Sequence, residues 1–173
     1  MNILKIIKDA DTGSTLLEPE QFEDRITARA VAFDKDNNVA LIYSQKNNYH
    51  KLPGGGVEDG EDLETAMQRE LIEEIGCVVE NIKDLGIVEE YRNEVGLHQI
   101  SYCYIADVVM KGIPKLEPNE IIEDYITKWI DLDTAIEILK KEGATKHYDG
   151  RFMQMRDITF LMEARDYIKR SVS

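Results

Sequence analysis

The spacing of apolar positions changes along the chain, and each change marks an element. Ile3, Leu4, Ile6 and Ile7 form a short apolar alternation, read as a first strand or edge hairpin, before a polar stretch that lasts to residue 24. From Arg25 the pattern sharpens. Ile26 to Phe33 reads as a strand, DKDNN as a turn, and Val39 to Tyr43 as the hairpin partner. Tyr49 to Pro53 leads as a short strand into a glycine loop, and Pro53 keeps that segment from continuing as a central strand. Then the period turns helical. Leu63, Met67, Leu71 and Ile75 recur every four residues, with Asp62 as N-cap and Gly76 as the stop.

Beyond that helix, Val78 to Ile82, Leu85 to Arg92 and Gln99 to Met110 are strand-like runs. The last is rich in β-branched and aromatic residues and predicts a central strand. KGIPKLEPNEIIED reads as a surface loop leading to a strand at Ile126–Ile130. Asp131 or Asp133 caps a second helix, Ala135 to Lys141, closed by Gly143. A linker, ATKHYDG, gives way to a final helix from about Arg151 to Lys169, expected to serve as a lid or a dimer helix. The whole predicts an α+β or α/β sandwich, a mixed sheet with helices on either side.

Composition narrows the partners. At 173 residues the chain is expected to be a single domain, 1–173. Its formal charge of −13 argues against duplex nucleic acid and anionic membranes, which need broad phosphate neutralisation or basic patches. An anionic substrate must then be brought in by metal ions, since the protein's own field repels it. The two cysteines, Cys77 and Cys103, suggest neither a disulfide framework nor a zinc site. No leader-like or membrane-length apolar run is seen, so a reducing cytoplasm is expected.

The chemistry lies in Leu52–Cys77, LPGGGVEDGEDLETAMQRELIEEIGC. Glu70, Glu73 and Glu74 stand at i, i+3 and i+4, so their carboxylates emerge on one helical face bordering the apolar stripe. Two such charges about 4 Å apart repel by roughly 4 kcal/mol at an effective dielectric of about 20. One must stay protonated, or a hard divalent ion, Mg²⁺ or Mn²⁺, must join them. Taken alone, RELIEE reads more often as a solvated helix face with Arg69 and Glu73 paired. The wider frame decides against that. Gly55, Glu61, Arg69, Glu70, Glu73, Glu74 and Gly76 fill every fixed position of G-x5-E-x7-R-E-U-x-E-E-x-G-U, with Cys77 as the final apolar residue. This stretch resembles the Nudix box, and the resemblance extends from about Arg25 to Leu139. Glu61 can reach Arg69 by a bend of the loop and pin loop to helix, fixing how the other carboxylates point. Gly55 can offer a carbonyl to a metal.

The resemblance implies a Nudix-type α/β/α sandwich and hydrolysis of a diphosphate bond in a small nucleotide, a nucleoside diphosphate linked to another moiety. The substrate range spans oxidised nucleoside triphosphates, nucleotide sugars and ADP-ribose. It also implies Mg²⁺ at Glu70, Glu73 and Glu74, with a further glutamate from a loop before a tryptophan-bearing strand. Trp129 marks that strand, Glu123 is the better placed and Glu120 the reserve. The general base is Glu70, or a distant-loop glutamate. A nucleotide-sensing module without hydrolysis and an isomerase of isoprenoid diphosphates are the rivals. The first usually lacks box carboxylates, and the second needs an active-site cysteine. His50, close before the glycine loop, and Tyr104, among several strand tyrosines that could stack on a base, are candidate substrate contacts. Arg25, Arg29 and Arg92 are candidates to grip phosphate, with surface pairing as the alternative. A homodimer fits as well as a monomer.

Overall fold

The computed structural model describes residues 1–15, 17–142 and 147–172. Eight strands form one mixed sheet: β1 (Ile3–Lys8), β2 (Glu23–Phe33), β3 (Asn38–Ser44), β4 (Tyr49–Lys51), β5 (Gly54–Gly56), β6 (Cys77–Arg92), β7 (Leu97–Lys111) and β8 (Tyr125–Asp131). The order is β1-β6-β7-β2-β3-β4, with β5 also on β2 and β8 also on β3. Among the described residues only β1/β6 and β2/β7 pair in parallel. The helices are α1 (Leu63–Ile75), α2 (Pro118–Ile122), α3 (Leu132–Lys141) and α4 (Tyr148–Val172).

Strand alternation sends successive side chains to opposite faces and so builds two cores. Ala28, Ala30 and Ala32 of β2 join Ala40 and Ala106 under Ala66, Met67, Leu71 and Ile75 of α1. Alanine is a poor strand former, yet here its small size lets the helix lie close on the sheet. On the other face, Val31 and Phe33 meet Ile136 and Leu139 of α3 and Phe152, Phe160 and Leu161 of α4. The result is the expected three-layer sandwich.

The expected ends of α1 hold. The Asp62 carboxylate accepts from the Thr65 amide, and Gly76 takes φ 66°. Asp131, not Asp133, caps α3 through the Thr134 amide. The proposed stop at Gly143 and the first part of the linker lie outside the described residues. Three readings change. The glycine loop is a three-residue strand, because Gly54–Gly56 pair with Arg29–Thr27. The two runs after α1 are one bulged strand, β6. The acidic loop contains α2, started by Pro118 at its first turn. Helix α4 packs on the chain's own sheet through Phe152, Phe160, Leu161 and Ala164. Among the described residues no helix is long and apolar enough to cross a membrane.

Leu71 is fully buried next to Glu70 and carries the packing that positions the carboxylate face. Leu71→Ala is expected to cost about 2–5 kcal/mol in denaturant unfolding. A loss below about 1 kcal/mol would mean that α1 is held by something other than this core.

Candidate active site

The site grows from the junction of β5 and α1. Arg69 uses its whole guanidinium there. Its Nε and Nη2 donate to the two oxygens of Glu61, each at 3.0 Å. Nη2 also reaches the Gly56 carbonyl at 2.9 Å, and Nη1 donates to Glu70 at 2.9 Å and Glu73 at 3.1 Å. The predicted bend therefore exists, and Glu61 ties loop to helix through a two-pronged pair. This fork holds the Glu61 carboxyl below the usual range. Glu61 also accepts from the Glu58 amide.

Glu74 is held from the opposite side. Its carboxylate, 3% exposed as a residue, accepts from the Gly54 amide at 2.6 Å and from Lys51 Nζ at 2.9 Å. Lys51 in turn lies 4.6 Å above the Tyr125 ring. Glu70 sits between these anchors, and burial followed by the charge of Glu74 pushes its carboxyl up, against the pull of Arg69. A side chain at Gly55 would collide with the Glu70 carboxylate, so only glycine leaves that group its place. Glu120, brought in by α2, is pushed up to about 7 by burial and by Glu74.

These groups share one cavity of about 270 Å³ with Glu73, Glu117, Gln99, Met153 and four arginines. Arg25 is exposed near its rim, whereas Arg29 and Arg92 are each 6% exposed and Arg156 1%. Arg29 Nη1 donates to the Gly54 and Leu52 carbonyls. Arg156 Nε donates to Asp157 at 2.7 Å, and Asp157 accepts from the Leu52 amide. Arg92 and Gln99 both donate to the fully buried Glu90. The cavity thus has a carboxylate side and a guanidinium side.

The structure gathers Gly55, Glu70, Glu73, Glu74, Glu120 and Arg29 around this cavity, with Arg69 and Glu61 bracing it. It separates three others. Glu123 does not line it: α2 ends there, the chain reverses at Asp124 (φ 54°), and its carboxylate accepts from Tyr49 and Ser44. Of the two loop glutamates it is therefore Glu120, expected as the reserve, that lines the cavity, because α2 carries it there and ends at Glu123. His50 is removed by Glu142, which takes both its backbone N–H and its ring, while the ring stacks on Tyr43. Tyr104 is a correction too, since strand parity puts it in the core beneath α1. Cys77 and Cys103 are buried in the two cores, away from the cavity lining.

Surface pairing fails for Arg29 and Arg92, which are buried. Arg156, Asp157, Glu90 and Lys51 were missed. A signal existed for Arg156: Phe152, Arg156, Phe160 and Ala164 form an i, i+4 stripe, so a charged residue stands on a core-facing row. Glu90 and Arg92 likewise share the inward parity of Val88.

Four carboxylates and glycine backbone are hard oxygen donors, suited to a divalent ion. Among the described residues no three such groups stand ready as a metal cage. The reason is visible: Arg69 holds Glu70 and Glu73, and Lys51 holds Glu74. Burial, and then the charge of Glu74, raises the Glu70 and Glu120 carboxyls, and an oxygen donor set of this kind fits a divalent cation.

The NUDIX domain family model matches residues 23–153. The ADP-ribose pyrophosphatase of Methanocaldococcus jannaschii is 35% identical over 127 residues, covering 58% of this chain and 74% of that protein. An RNA pyrophosphohydrolase of Dinoroseobacter shibae is 54% identical, but over only 20% of this chain and 22% of its own length. Among solved structures, the MutT NUDIX hydrolase of Burkholderia pseudomallei superposes with a TM-score of 0.52 at 26% identity, covering 64% of this chain and 85% of that one. The NUDIX hydrolase of Nitrosomonas europaea, at 21% identity, shares the fold with a TM-score of 0.57 over 78% of this chain and 88% of its own. Nudix hydrolases generally use divalent metal ions, in keeping with the donor set. The box residues, their bracing by Arg69 and a family match over most of the sequence agree, and this chain belongs to the Nudix hydrolase family.

Proposed function

We propose that the chain is a Mg²⁺-dependent pyrophosphohydrolase that cleaves the diphosphate of a small nucleotide, a nucleoside diphosphate linked to another moiety. The observation that carries this is the crowding of Glu70, Glu74 and Glu120 against side-chain-free glycine backbone in one cavity. The similarity to a protein named ADP-ribose pyrophosphatase supports the substrate class. The pairing of β1 with β6 and the packing of α4 support a single domain that includes both ends. Two unbridged buried thiols fit a reducing cytoplasm, and the −13 charge disfavours duplex nucleic acid.

Glu70, Glu73 and Glu74 would hold Mg²⁺, with backbone at Gly55. Bound Mg²⁺ neutralises phosphoryl oxygens and lowers the pKa of the attacking water. The protein's own groups do the rest. Arg69, fixed by both oxygens of Glu61, holds the Glu70 and Glu73 side chains in place on the helix face beside the position a metal would take. Glu120 takes the proton from the water. Among the described residues no arginine sits on its oxygens, whereas Glu70 is tied to Arg69 and is the poorer base.

Glu73 is partly exposed, with its side chain at 33%, and holds no backbone. Glu73→Gln should cut Mg²⁺-dependent turnover by at least about 10²-fold with an unchanged melting temperature. Glu74→Gln should lose both activity and stability, because Lys51 is left buried without its anion and Gly54 loses a charged acceptor. Near-wild-type turnover in either variant at saturating Mg²⁺ would refute the ligand assignment.

The raised Glu120 carboxyl gives a sign to the pH dependence of the metal-free protein. Its folded-state pKa of about 7 exceeds the ordinary 4.5, so its contribution favours folding at low pH. That contribution is lost as pH rises from about 4.5 through about 7. In EDTA, the wild-type melting temperature should fall across this window more steeply than that of Glu120→Gln. Parallel curves would mean that Glu120 is not the group that titrates in this window.

A further inference from the structure

The guanidinium side of the cavity is left short of both negative charge and acceptors. Arg29, Arg92 and Arg156 are buried there, set against the buried carboxylates of Glu90, Asp157 and Glu74, and Glu74 is already paired with Lys51. Asp149, on the outer nitrogen of Arg92, stands with its side chain 54% exposed. With Glu74 taken up by Lys51, the three guanidinium groups keep two buried carboxylates of their own, an excess positive charge that is costly in an interior unless an anion joins it. Arg29 Nε, Arg92 Nε and Arg156 Nη2 are buried with no hydrogen-bond partner. Glu90 and Asp157 are already engaged by Arg92, Gln99, Arg156 and the Leu52 amide. Burial, and then the charge of Arg156, drives Arg29 down to about 10, and both side chains line the same cavity.

Position adds the rest. Arg29 holds the carbonyl of Gly54, and Glu74 holds the amide of the same residue. The two sides of the cavity are thus joined through one residue, roughly 2.5 Å across its backbone. The volume of about 270 Å³ falls below that of sites enclosing a whole drug-sized ligand, about 300–1,000 Å³. Its lining has no aromatic ring to stack a base, and Met153 is the only apolar side chain on it among the described residues.

We propose that Arg29 and Arg156 form a phosphoryl subsite beside the carboxylate cluster, so that the preferred substrate carries a phosphoryl group beyond the anhydride that is cleaved. The subsite itself follows from the arginine cluster; the statement about substrate rests on the pyrophosphohydrolase reading. That group is either a further phosphate of a linear triphosphate or a phosphomonoester on the linked moiety. The base stays outside the cavity.

Inorganic phosphate in EDTA is the first probe, compared with chloride at matched ionic strength to remove general screening of the −13 charge. Phosphate should raise the wild-type melting temperature saturably where chloride does not. Arg156→Lys keeps the charge but loses the planar fork, and should weaken phosphate binding about tenfold or more. Arg170→Lys, near the far end of α4 and off the cavity lining, should bind phosphate like wild type. Equal responses of the wild type to phosphate and chloride would overturn the subsite, with no variant needed. If Arg156→Lys does not fold, Arg29→Lys provides the same comparison.

The second arm measures Mg²⁺-dependent hydrolysis of a nucleoside triphosphate, ADP-ribose phosphorylated on its terminal ribose, and ADP-ribose itself. One of the first two should be preferred, which identifies the source, and Arg156→Lys should raise KM for it by about tenfold while sparing ADP-ribose. Equal use of all three, or an equal effect of the variant on all, would overturn the substrate assignment. Saturable phosphate binding without hydrolysis of any would refute the hydrolase reading and leave the subsite standing.

Discussion

The site depends on a single guanidinium. Arg69 meets Glu61, Glu70, Glu73 and the Gly56 carbonyl at once, so one side chain joins the loop, the helix and the glycine strand. Without it, carboxylates one helical turn apart would repel, and the loop carrying Glu61 would have no anchor on α1. Arginine suits this place because its planar fork supplies several donors in fixed directions, which a lysine cannot. The same pairing sets Glu70 and Glu73 on Arg69, while Glu74 lies on Lys51.

The glycine strand is the second constraint. Arg29 and Arg69 hold the carbonyls of Gly54 and Gly56, Glu74 holds the Gly54 amide, and Glu70 occupies the space a side chain at Gly55 would need. A backbone this crowded serves as a wall, with anionic chemistry on one side and cationic chemistry on the other. Alanines beneath α1 bring the helix close enough to the sheet for this contact. Core packing and catalytic geometry are therefore set by the same residues.

Much of this could be read from the sequence because the relevant spacings are local. The stripe of α1, its caps, the shared face of Glu70, Glu73 and Glu74, and the reach of Glu61 to Arg69 all follow from helical geometry over short separations. The failures are non-local. Glu120 and Glu123 differ only in where a five-residue helix ends, and Pro118 was its only clear sign. His50 lies beside the glycines in sequence but is captured by Glu142, 92 residues away. Tyr104 required knowing which face of β7 meets α1. The buried arginines draw on four elements, β2, β4's flank, β6 and α4, and only the misplaced charge in the apolar row of α4 hinted at them.

The central claim is that the carboxylates braced by Arg69 are a divalent metal site. Anomalous diffraction from crystals soaked in Mn²⁺ tests it directly. A peak about 2 Å from carboxylate oxygens of Glu70, Glu73 and Glu74, with Arg69 still gripping Glu61, is the predicted result. A peak only at other acidic groups, with Glu70 and Glu73 still on Arg69 and Glu74 on Lys51, would contradict it.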